Sequence, residues 1–283
     1  MKSKGWSVRG SHGKLLTDRS LRTQIENLGA QMTIDGKKYW HCEDVQDRSL
    51  QAARNRNLFD LHLLALDWSL IEPIIINDKA DIKSSNWKDR GLKPFVHQIK
   101  NLVTFCKRLP VTLIADDVGL GKTISAGLIL SELIARRRVS RVLIICPKIL
   151  MPQWVSELDE KFGLVAKEVS GSTLKTEIKR STPIVVTTYH SASTALADIE
   201  EGTFDLCILD EAHKLRNLYG NQKVPKMALN FRGALERRPF KYVLMLTATP
   251  IQNKVWDLYS LIDLLKVAEG KPNPLGNPGD FAE

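Results

Sequence analysis

The chain has 283 residues, of which 43% are hydrophobic and 26% are charged, values typical of a globular protein with one or two domains. Its net charge of +9 and pI near 9.3 favour a polyanionic partner, nucleic acid before a membrane surface. The N-terminus lacks the apolar segment of a secretory signal, and no uninterrupted apolar stretch approaches the ~20 residues of a membrane span. We therefore expect a soluble, cytoplasmic protein with no membrane partner.

The four cysteines do not have the spacing of a metal site. Cys42, Cys106, Cys146 and Cys207 contain no C-x-x-C pair, and the last two lie within apolar runs, where a reduced cysteine behaves as a small hydrophobic residue. A zinc site or a disulfide framework is not expected.

Residues 1–90 differ in composition from the rest of the chain. Residues 32–40 are predicted to form a small hairpin with its two-residue turn at Asp35 and Gly36. A helical pattern covers residues 44–70, Ile74 to Ile76 could form a short strand, and a polar stretch up to Arg90 suggests a boundary. We interpret residues 1–90 as a small α+β accessory region of unknown role, through which a protein partner could bind. Residues 91–283 then form a second domain.

A helix is predicted to begin near Pro94 and to end at Lys107. After it, five apolar runs alternate with segments that are compatible with helices. Runs that are apolar on both faces are typical of parallel strands covered by helices on each side. The predicted fold class is therefore α/β, a parallel sheet with helices on both faces. The runs are residues 111–115, 142–146, 184–188, 206–209 and 243–246.

A glycine-containing turn follows the first run and opens a helix. This arrangement directs backbone N–H groups at phosphate oxygens, while Lys122 reaches the β- and γ-phosphates and the Thr123 hydroxyl holds Mg²⁺. Asp116 occupies the first glycine position of the strict pattern, so a loop that only resembles the motif stays open at this point. A dinucleotide fingerprint is disfavoured because Ile124 replaces its third glycine. The predicted nucleotide-binding residues of the loop are Val118, Gly119, Leu120, Gly121, Lys122, Thr123 and Ile124.

Each of the five runs ends in polar or otherwise unusual residues. The carboxyl ends of parallel strands line one crevice, in which ligands bind. Asp210 and Glu211, which follow the fourth run, supply what a nucleoside triphosphatase needs beyond the loop. Asp210 would complete the Mg²⁺ shell through water, and Glu211 would orient and deprotonate the attacking water. The alternative for Asp210 is a helix N-cap. Lys122, Asp210 and Glu211 are the predicted catalytic residues.

Other polar residues near these strand ends have no direct role in hydrolysis. His213, with Thr247 and Thr249, could transmit a change at the γ-phosphate to another surface; without the surrounding pattern, His213 would be a structural histidine. Four cations between the fourth and fifth runs, in a segment that could protrude, leave a solvated face and a phosphate contact equally open. They are Arg232, Arg237, Arg238 and Lys241.

Taken together, these motifs resemble the N-terminal RecA-like lobe of Swi/Snf-type ATPases of helicase superfamily two. DDVGLGKTISAG at residues 116–127 resembles motif I, DEAHKLRN at 210–217 motif II, and LTATPIQN at 246–253 motif III. LIICPKILMPQW at 143–154 is similar to motif Ia and VTTY at 186–189 to motif Ib. The match covers residues 91–283, and Val118 with Ala126 and Gly127 is closer to the bacterial branch.

The resemblance implies ATP-driven movement along double-stranded DNA, possible bacterial roles being genome maintenance, transcription recycling or phage defence. It implies that Gln98 reads adenine, and that Lys148, Gln153, Thr188 and Tyr189 contact the DNA backbone. The family also uses a second RecA-like lobe with an arginine finger, so we expect a fragment that binds ATP and hydrolyses it weakly by itself. The alternatives are a nucleotide-dependent binding module that does not hydrolyse ATP alone and an RNA helicase of the same superfamily.

Overall fold

The computed structural model describes residues 32–34, 37–39, 74–77, 79–219, 224–252 and 254–281. The chain divides into two compact units, Met1–Glu72 and Pro73–Glu283. In the first unit, β1 (Met32–Ile34) and β2 (Lys37–Tyr39) pair antiparallel, with Ile34 opposite Lys37. This pairing confirms the predicted hairpin. The predicted helix at residues 44–70 lies outside the described residues.

The second unit is an α/β layer structure. Its described strands are β3 (Val111–Ile114), β4 (Val142–Cys146), β5 (Lys167–Glu168), β6 (Ile184–Thr188), β7 (Phe204–Asp210) and β8 (Phe240–Leu246). Its described helices are α1 (Asn86–Asp89), α2 (Val96–Lys107), α3 (Lys122–Ala135), α4 (Met151–Phe162), α5 (Thr173–Ile178), α6 (Tyr189–Ala195), α7 (Lys226–Glu236), α8 (Val255–Glu269) and α9 (Pro278–Phe281). Short 3-10 helices lie at Lys79–Asp81, Lys148–Leu150, Leu196–Asp198 and Ala212–Leu215.

The six strands form one parallel sheet in the order β3-β8-β7-β4-β6-β5. All five predicted runs are strands of this sheet, which confirms the predicted fold class. The edge strand β5 was not predicted, because both of its residues are exposed and carry charge, and two residues give no apolar pattern.

Side chains of successive strand residues enter two separate cores. In β4, Val142, Ile144 and Cys146 pack with α1 to α4, whereas Leu143 and Ile145 pack with α6, α7 and α8. Every β4 residue is buried, as expected for a strand with helices on both of its faces. Burial raises the pKa of the Cys106 and Cys146 thiols to about 12.

The structural boundary lies earlier than the predicted one near Arg90. Residues 74–77 form neither helix nor strand, which corrects the short strand considered there. Ile74, Ile76, Ile82 and Trp87 are nevertheless buried in the core of the second unit. The polar residues between them resemble a linker in sequence, but spaced apolar side chains attach the segment to the sheet unit.

A buried carboxylate adds a polar attachment for the same segment. Glu132 on α3 is fully buried and accepts hydrogen bonds from the backbone N–H groups of Lys83 (3.0 Å) and Ser84 (2.8 Å). Its Oε1 also lies 2.7 Å from Arg136 Nε. Burial alone would raise the pKa of Glu132, but these donors outweigh it and lower that pKa.

None of the helices in the described part of the chain combines the length and apolar character needed to cross a membrane. The segment between β7 and β8 does not protrude where it is described, because α7 buries Ala228, Phe231, Ala234 and Leu235 in the second core.

Candidate functional site

Three strands end in one row at the carboxyl edge of the sheet. Leu246 of β8 is in register with Ile114 of β3 on one side and with Asp210 of β7 on the other. Adjacent strands lie about 4.8 Å apart, so the segments that follow these three residues share one small region. The backbone N–H of Thr247 also donates to the Ile114 carbonyl at 3.0 Å.

The loop after β3 has the backbone that its glycines predict. Gly119 has φ +83° and Gly121 has φ +73°, in the left-handed region that suits glycine. A Cβ at Gly121 would lie 2.7 Å from Gln98 Nε2, whereas a Cβ at Gly119 would meet nothing within 4 Å. The dihedral angle of Gly121 therefore favours glycine, and a larger residue there would also displace the end of the Gln98 side chain.

The helix that follows begins at Lys122 and presents its N-terminal N–H groups to this edge. The Lys122 ammonium donates to the carbonyl oxygens of Asp116 and Asp117, both at 3.1 Å. Thr123 is half-buried, and Ile124 is buried in the core. Val118 and Leu120 are exposed on the loop.

Asp116, which replaces the expected first glycine, is held from α2. Asn101 Nδ2 donates to Asp116 Oδ2 at 2.6 Å and also to Ser125 Oγ at 3.1 Å. Asn101 was not predicted from sequence, because half of the residues of α2 are polar and one more polar residue gives no distinct signal. The Asp116 side chain therefore has a defined position in the loop, which Asn101 helps to fix.

Gln98 also contacts the loop from α2. It is 3% exposed, its Oε1 accepts from Phe95 N at 2.9 Å, and its Nε2 donates to the Leu120 carbonyl at 3.1 Å. Nε2 of His97 lies 2.9 Å from the same carbonyl oxygen. The structure places Gln98 at the base of the loop, and its role in reading adenine stays a prediction.

Asp210 ends β7 as a buried carboxylate. It is 5% exposed; its Oδ2 accepts from Trp154 Nε1 at 2.8 Å and its Oδ1 from the Glu211 backbone N–H at 2.9 Å. Burial is the largest influence and raises the pKa of Asp210, Glu211 raises it further, and Trp154 and Lys122 oppose the rise. Lys122 in the loop is thus close enough to the end of β7 for its charge to lower the pKa of Asp210. Trp154 is a second residue that sequence reasoning missed.

The three predicted coupling residues and Glu211 form one chain of contacts. Glu211 has φ +54°, and its Oε2 lies 3.0 Å from His213 Nδ1. The same Nδ1 lies 3.3 Å from Thr247 Oγ1, which accepts from the Thr249 backbone N–H at 3.2 Å. Burial is the main cause that lowers the pKa of His213, although Glu211 opposes it.

One further contact joins the segments after β7 and β8. Arg216 Nη1 donates to Gln252 Oε1. Neither residue was predicted from sequence, because their contact depends on the adjacency of β7 and β8.

The four predicted DNA-contact residues have different surroundings. Lys148 and Gln153 are exposed, and Gln153 Nε2 donates to Glu157 at 2.9 Å. Thr188 is half-buried and its Oγ1 caps α6 by accepting from Ser191 N at 3.2 Å. The prediction for the Tyr189 side chain is wrong. It is 4% exposed and its hydroxyl donates to the Asp210 carbonyl at 2.8 Å, because the first turn of α6 directs it into the core.

Comparisons with known proteins agree on one family. The family described as SNF2-related domain matches residues 87–277. The chain is 36% identical over 193 residues to the uncharacterized ATP-dependent helicase YqhH of Bacillus subtilis, covering 67% of this chain and 31% of that protein. It is 33% identical over 211 residues to the RNA polymerase-associated protein RapA of Stutzerimonas stutzeri, covering 64% and 22%.

Among solved structures, the Sulfolobus solfataricus SWI2/SNF2 ATPase core in complex with dsDNA has 25% sequence identity and a TM-score of 0.48. The match covers 75% of this chain and 40% of that one. The chain thus spans less than a third of the two relatives described above.

Proposed function

Because the chain belongs to the SNF2-related domain family, as its motifs indicated, we propose that it is the ATP-binding lobe of an enzyme that couples ATP hydrolysis to movement along double-stranded DNA. The observation that carries this proposal is the register of Ile114, Leu246 and Asp210 in neighbouring strands. That register places a lysine-containing phosphate loop and an acidic pair at one sheet edge, which is the minimal set for phosphoryl transfer.

The residues at this edge fit ATP and Mg²⁺. Membership of the family implies ATP use, and the positive φ angles of Gly119 and Gly121 suit a loop whose backbone N–H groups bind phosphate. Lys122 and the N–H groups of the first turn of α3 would bind the phosphates. Thr123 and Asp210 would hold Mg²⁺, whose charge would neutralise phosphate oxygens. The Lys122 ammonium would exchange the Asp116 and Asp117 carbonyls for phosphate oxygens.

Glu211 is the group proposed to orient the attacking water and to accept its proton. Its carboxylate pairs with His213, and His213 in turn contacts Thr247. A change in the position of Glu211 at the γ-phosphate would therefore alter the contact between His213 and Thr247 in the segment after β8. This contact chain supports the proposed coupling role of His213, Thr247 and Thr249.

Duplex DNA is the proposed polymer along which the enzyme moves. The exposed Lys148 and Gln153 are the proposed contacts on this lobe, and the net charge of +9 favours a polyanion. Contacts to phosphates give binding that does not depend on sequence and that weakens as salt increases. The names of the Bacillus and Stutzerimonas relatives, a helicase and an RNA polymerase-associated protein, support an enzyme that acts on nucleic acid.

Efficient turnover is proposed to need a second RecA-like lobe, because an arginine finger supplied from outside a phosphate-loop domain can contribute about 10³–10⁵ in rate. Residues 1–90 are a further proposed surface for a protein partner.

The first test separates nucleotide binding from hydrolysis. A fluorescent ATP analogue with Mg²⁺ is titrated into the 283-residue chain, and turnover is measured in a longer protein that carries a second RecA-like lobe. Glu211→Gln should retain binding and abolish hydrolysis, whereas Lys122→Ala should weaken binding at least about tenfold. The matched control is Glu201→Gln, a change at an exposed turn. Unchanged turnover in Glu211→Gln would remove Glu211 from the mechanism.

The second test identifies the nucleic acid. Turnover of the two-lobe protein is compared without nucleic acid, with duplex DNA and with duplex or single-stranded RNA. Stimulation by duplex DNA that declines with salt is expected. Stimulation by RNA alone would favour the RNA helicase alternative, and turnover that ignores both would favour a nucleotide-dependent binding module.

A further inference from the structure

A groove runs along α6 and α7, which also contact each other through a hydrogen bond from Asn230 Nδ2 to Ser193 Oγ at 3.1 Å, on the face of the lobe that holds the second core. It has a volume of about 780 Å³ and is lined by residues of both helices and of the 3-10 helix that follows α6. It contains no residue of the phosphate loop and neither Asp210 nor Glu211. Its chemistry is therefore separate from the proposed ATP site.

Cations lie at both ends of the groove. Lys226 begins α7 and Arg237 follows its last residue, so the two are about 16 Å apart along the helix axis. His190 lines the groove from α6, and none of the lining residues is acidic. Arg237 Nη2 donates to the Leu196 carbonyl at 2.8 Å, which holds the guanidinium at the end of the groove.

The carboxylates that adjoin the groove in sequence do not neutralise these cations. Asp198 lies 2.8 Å from Lys175 Nζ, and Glu236 lies 3.7 Å from Arg232 Nη1. Arg232 is itself bound to Asp263 on α8 at 2.9 Å, which assigns a structural role to one of the four cations singled out in the sequence between the fourth and fifth apolar runs. These two carboxylates therefore pair with cations other than Lys226 and Arg237.

The lining of the groove between the two cations is mixed, with apolar residues beside Ser193, Thr194 and Asn230. Leu229 is 50% exposed, and Met227, Leu196 and Ala197 also line the groove. Gly233 lies in the interior of α7, where glycine weakens a helix relative to alanine. A Cβ at Gly233 would meet nothing within 4 Å, so packing within the chain does not require glycine there. The glycine leaves room for an incoming side chain.

We propose that this groove binds a segment of a partner protein in which an apolar side chain is flanked by carboxylates. The apolar side chain would lie over Gly233 and Leu229, and the carboxylates would meet Lys226 and Arg237. Complementary charge at both ends would fix the direction and register of the segment. A nucleic-acid backbone is the less suitable occupant, because it has no apolar group to cover the exposed Leu229.

The test uses a displayed library of random 12-residue peptides panned against the 283-residue chain. Peptides enriched by the natural sequence should combine Asp or Glu with Leu, Phe or Trp. Gly233→Leu, which fills the groove, should reduce recovery of those peptides at least tenfold, and the matched Gly233→Ala should retain it. Circular dichroism and binding of the fluorescent ATP analogue, which involve other residues, check that each variant is folded.

A charge exchange provides the second variant. Lys226→Glu combined with Arg237→Glu should select peptides rich in Lys or Arg in place of acidic ones. The proposal is overturned if the natural chain enriches no peptide above the Gly233→Leu background or enriches basic peptides. It is equally overturned if the charge exchange leaves peptide composition unchanged. Chemical modification of His190, with duplex DNA or an enriched peptide present, is the last check. Protection of His190 by duplex DNA and by no peptide would also overturn the proposal.

Discussion

Nε1 of Trp154 lies 2.8 Å from Oδ2 of Asp210, and both side chains are buried. This hydrogen bond joins α4, the helix after β4, to the carboxylate proposed to hold Mg²⁺. Burial raises the pKa of Asp210, and the indole N–H is the strongest of the contacts that counteract the rise. Trp154 is thus a positioning residue that favours the ionised carboxylate.

Trp154→Phe removes this donor and keeps an aromatic ring in the core. Since the N–H stabilises the ionised form, its loss should raise the pKa of Asp210 further and move the acidic limb of the pH–turnover profile to higher pH. A hydrogen bond to a charged group is worth about 1.5–3 kcal/mol, so Mg²⁺-dependent nucleotide binding should weaken about tenfold or more. Turnover against pH in the two-lobe protein measures the effect. Asp159→Asn, at an exposed position of the same helix, is the control, and an unshifted acidic limb would contradict the assignment.

Asn101 gives a second prediction, about the geometry of the loop. Its Nδ2 is shared by Asp116 and Ser125, so Asn101→Ala should release Asp116 and weaken nucleotide binding by about three- to tenfold. Asn101→Asp should weaken binding more, because two carboxylates would then face each other. The ranking of dissociation constants for the ATP analogue checks this, with the exposed Lys100→Ala as control. Equal affinities for the alanine and aspartate variants would argue against a positioning role.

These two residues illustrate what sequence could and could not predict. The phosphate loop and the acidic pair are local strings, and their chemistry can be read from residue type and spacing. Trp154 and Asp210 are 56 positions apart, and they meet because β4 pairs with β7, a strand order that periodicity does not specify. The predicted DNA contact of the Tyr189 side chain was wrong because a local pattern was trusted too far. It follows a strand as the other polar endings do, but it is the first residue of a helix that packs on the sheet.

The boundary near Arg90 has a related explanation. Local composition between residues 77 and 90 is polar, so the sequence suggests a linker. The buried Ile82 and Trp87, together with the hydrogen bonds from Lys83 and Ser84 to Glu132, depend on α3. Such long-range partners leave little trace in a local pattern.

Adjacent threonines at the end of β6 predict stability changes of opposite sign. Among the buried side-chain atoms that the structure describes, Oγ1 of Thr187 is the one without a hydrogen-bond partner, whereas Oγ1 of Thr188 caps α6. Thr187→Val should raise the free energy of unfolding by about 1 kcal/mol, because it removes an unsatisfied hydroxyl and keeps the shape. Thr188→Val should lower it by about 1 kcal/mol through loss of the cap. Urea unfolding of both variants is the measurement, and each serves as the control for the other. Changes of the same sign would contradict the prediction.

Asp205 predicts how stability depends on pH at the opposite edge of the sheet. Its Oδ2 accepts from Ser140 N (2.7 Å), Ser140 Oγ (2.8 Å) and Arg141 N (3.0 Å), which ties the start of β7 to the start of β4. Burial alone would raise the pKa of Asp205, but these donors outweigh it and lower the pKa below the ordinary value of 3.8. The folded state therefore favours the ionised form. Its contribution to stability is fully present above the unfolded pKa and is lost as the pH falls through the folded one.

Asp205→Asn replaces the carboxylate with a neutral amide opposite three hydrogen-bond donors. It should lower the free energy of unfolding at pH 7 by about 1–2 kcal/mol, because hydrogen bonds to a charged group contribute less when that group is partly exposed. The difference from the natural chain should stay constant between pH 7 and 5 and should shrink only below about pH 4. Urea unfolding at several pH values measures this dependence. Glu200→Gln, in the exposed turn before β7, should leave both the stability and its pH dependence unchanged. A difference that shrinks instead near pH 6 would point to a histidine, because only an imidazole has its ordinary pKa there.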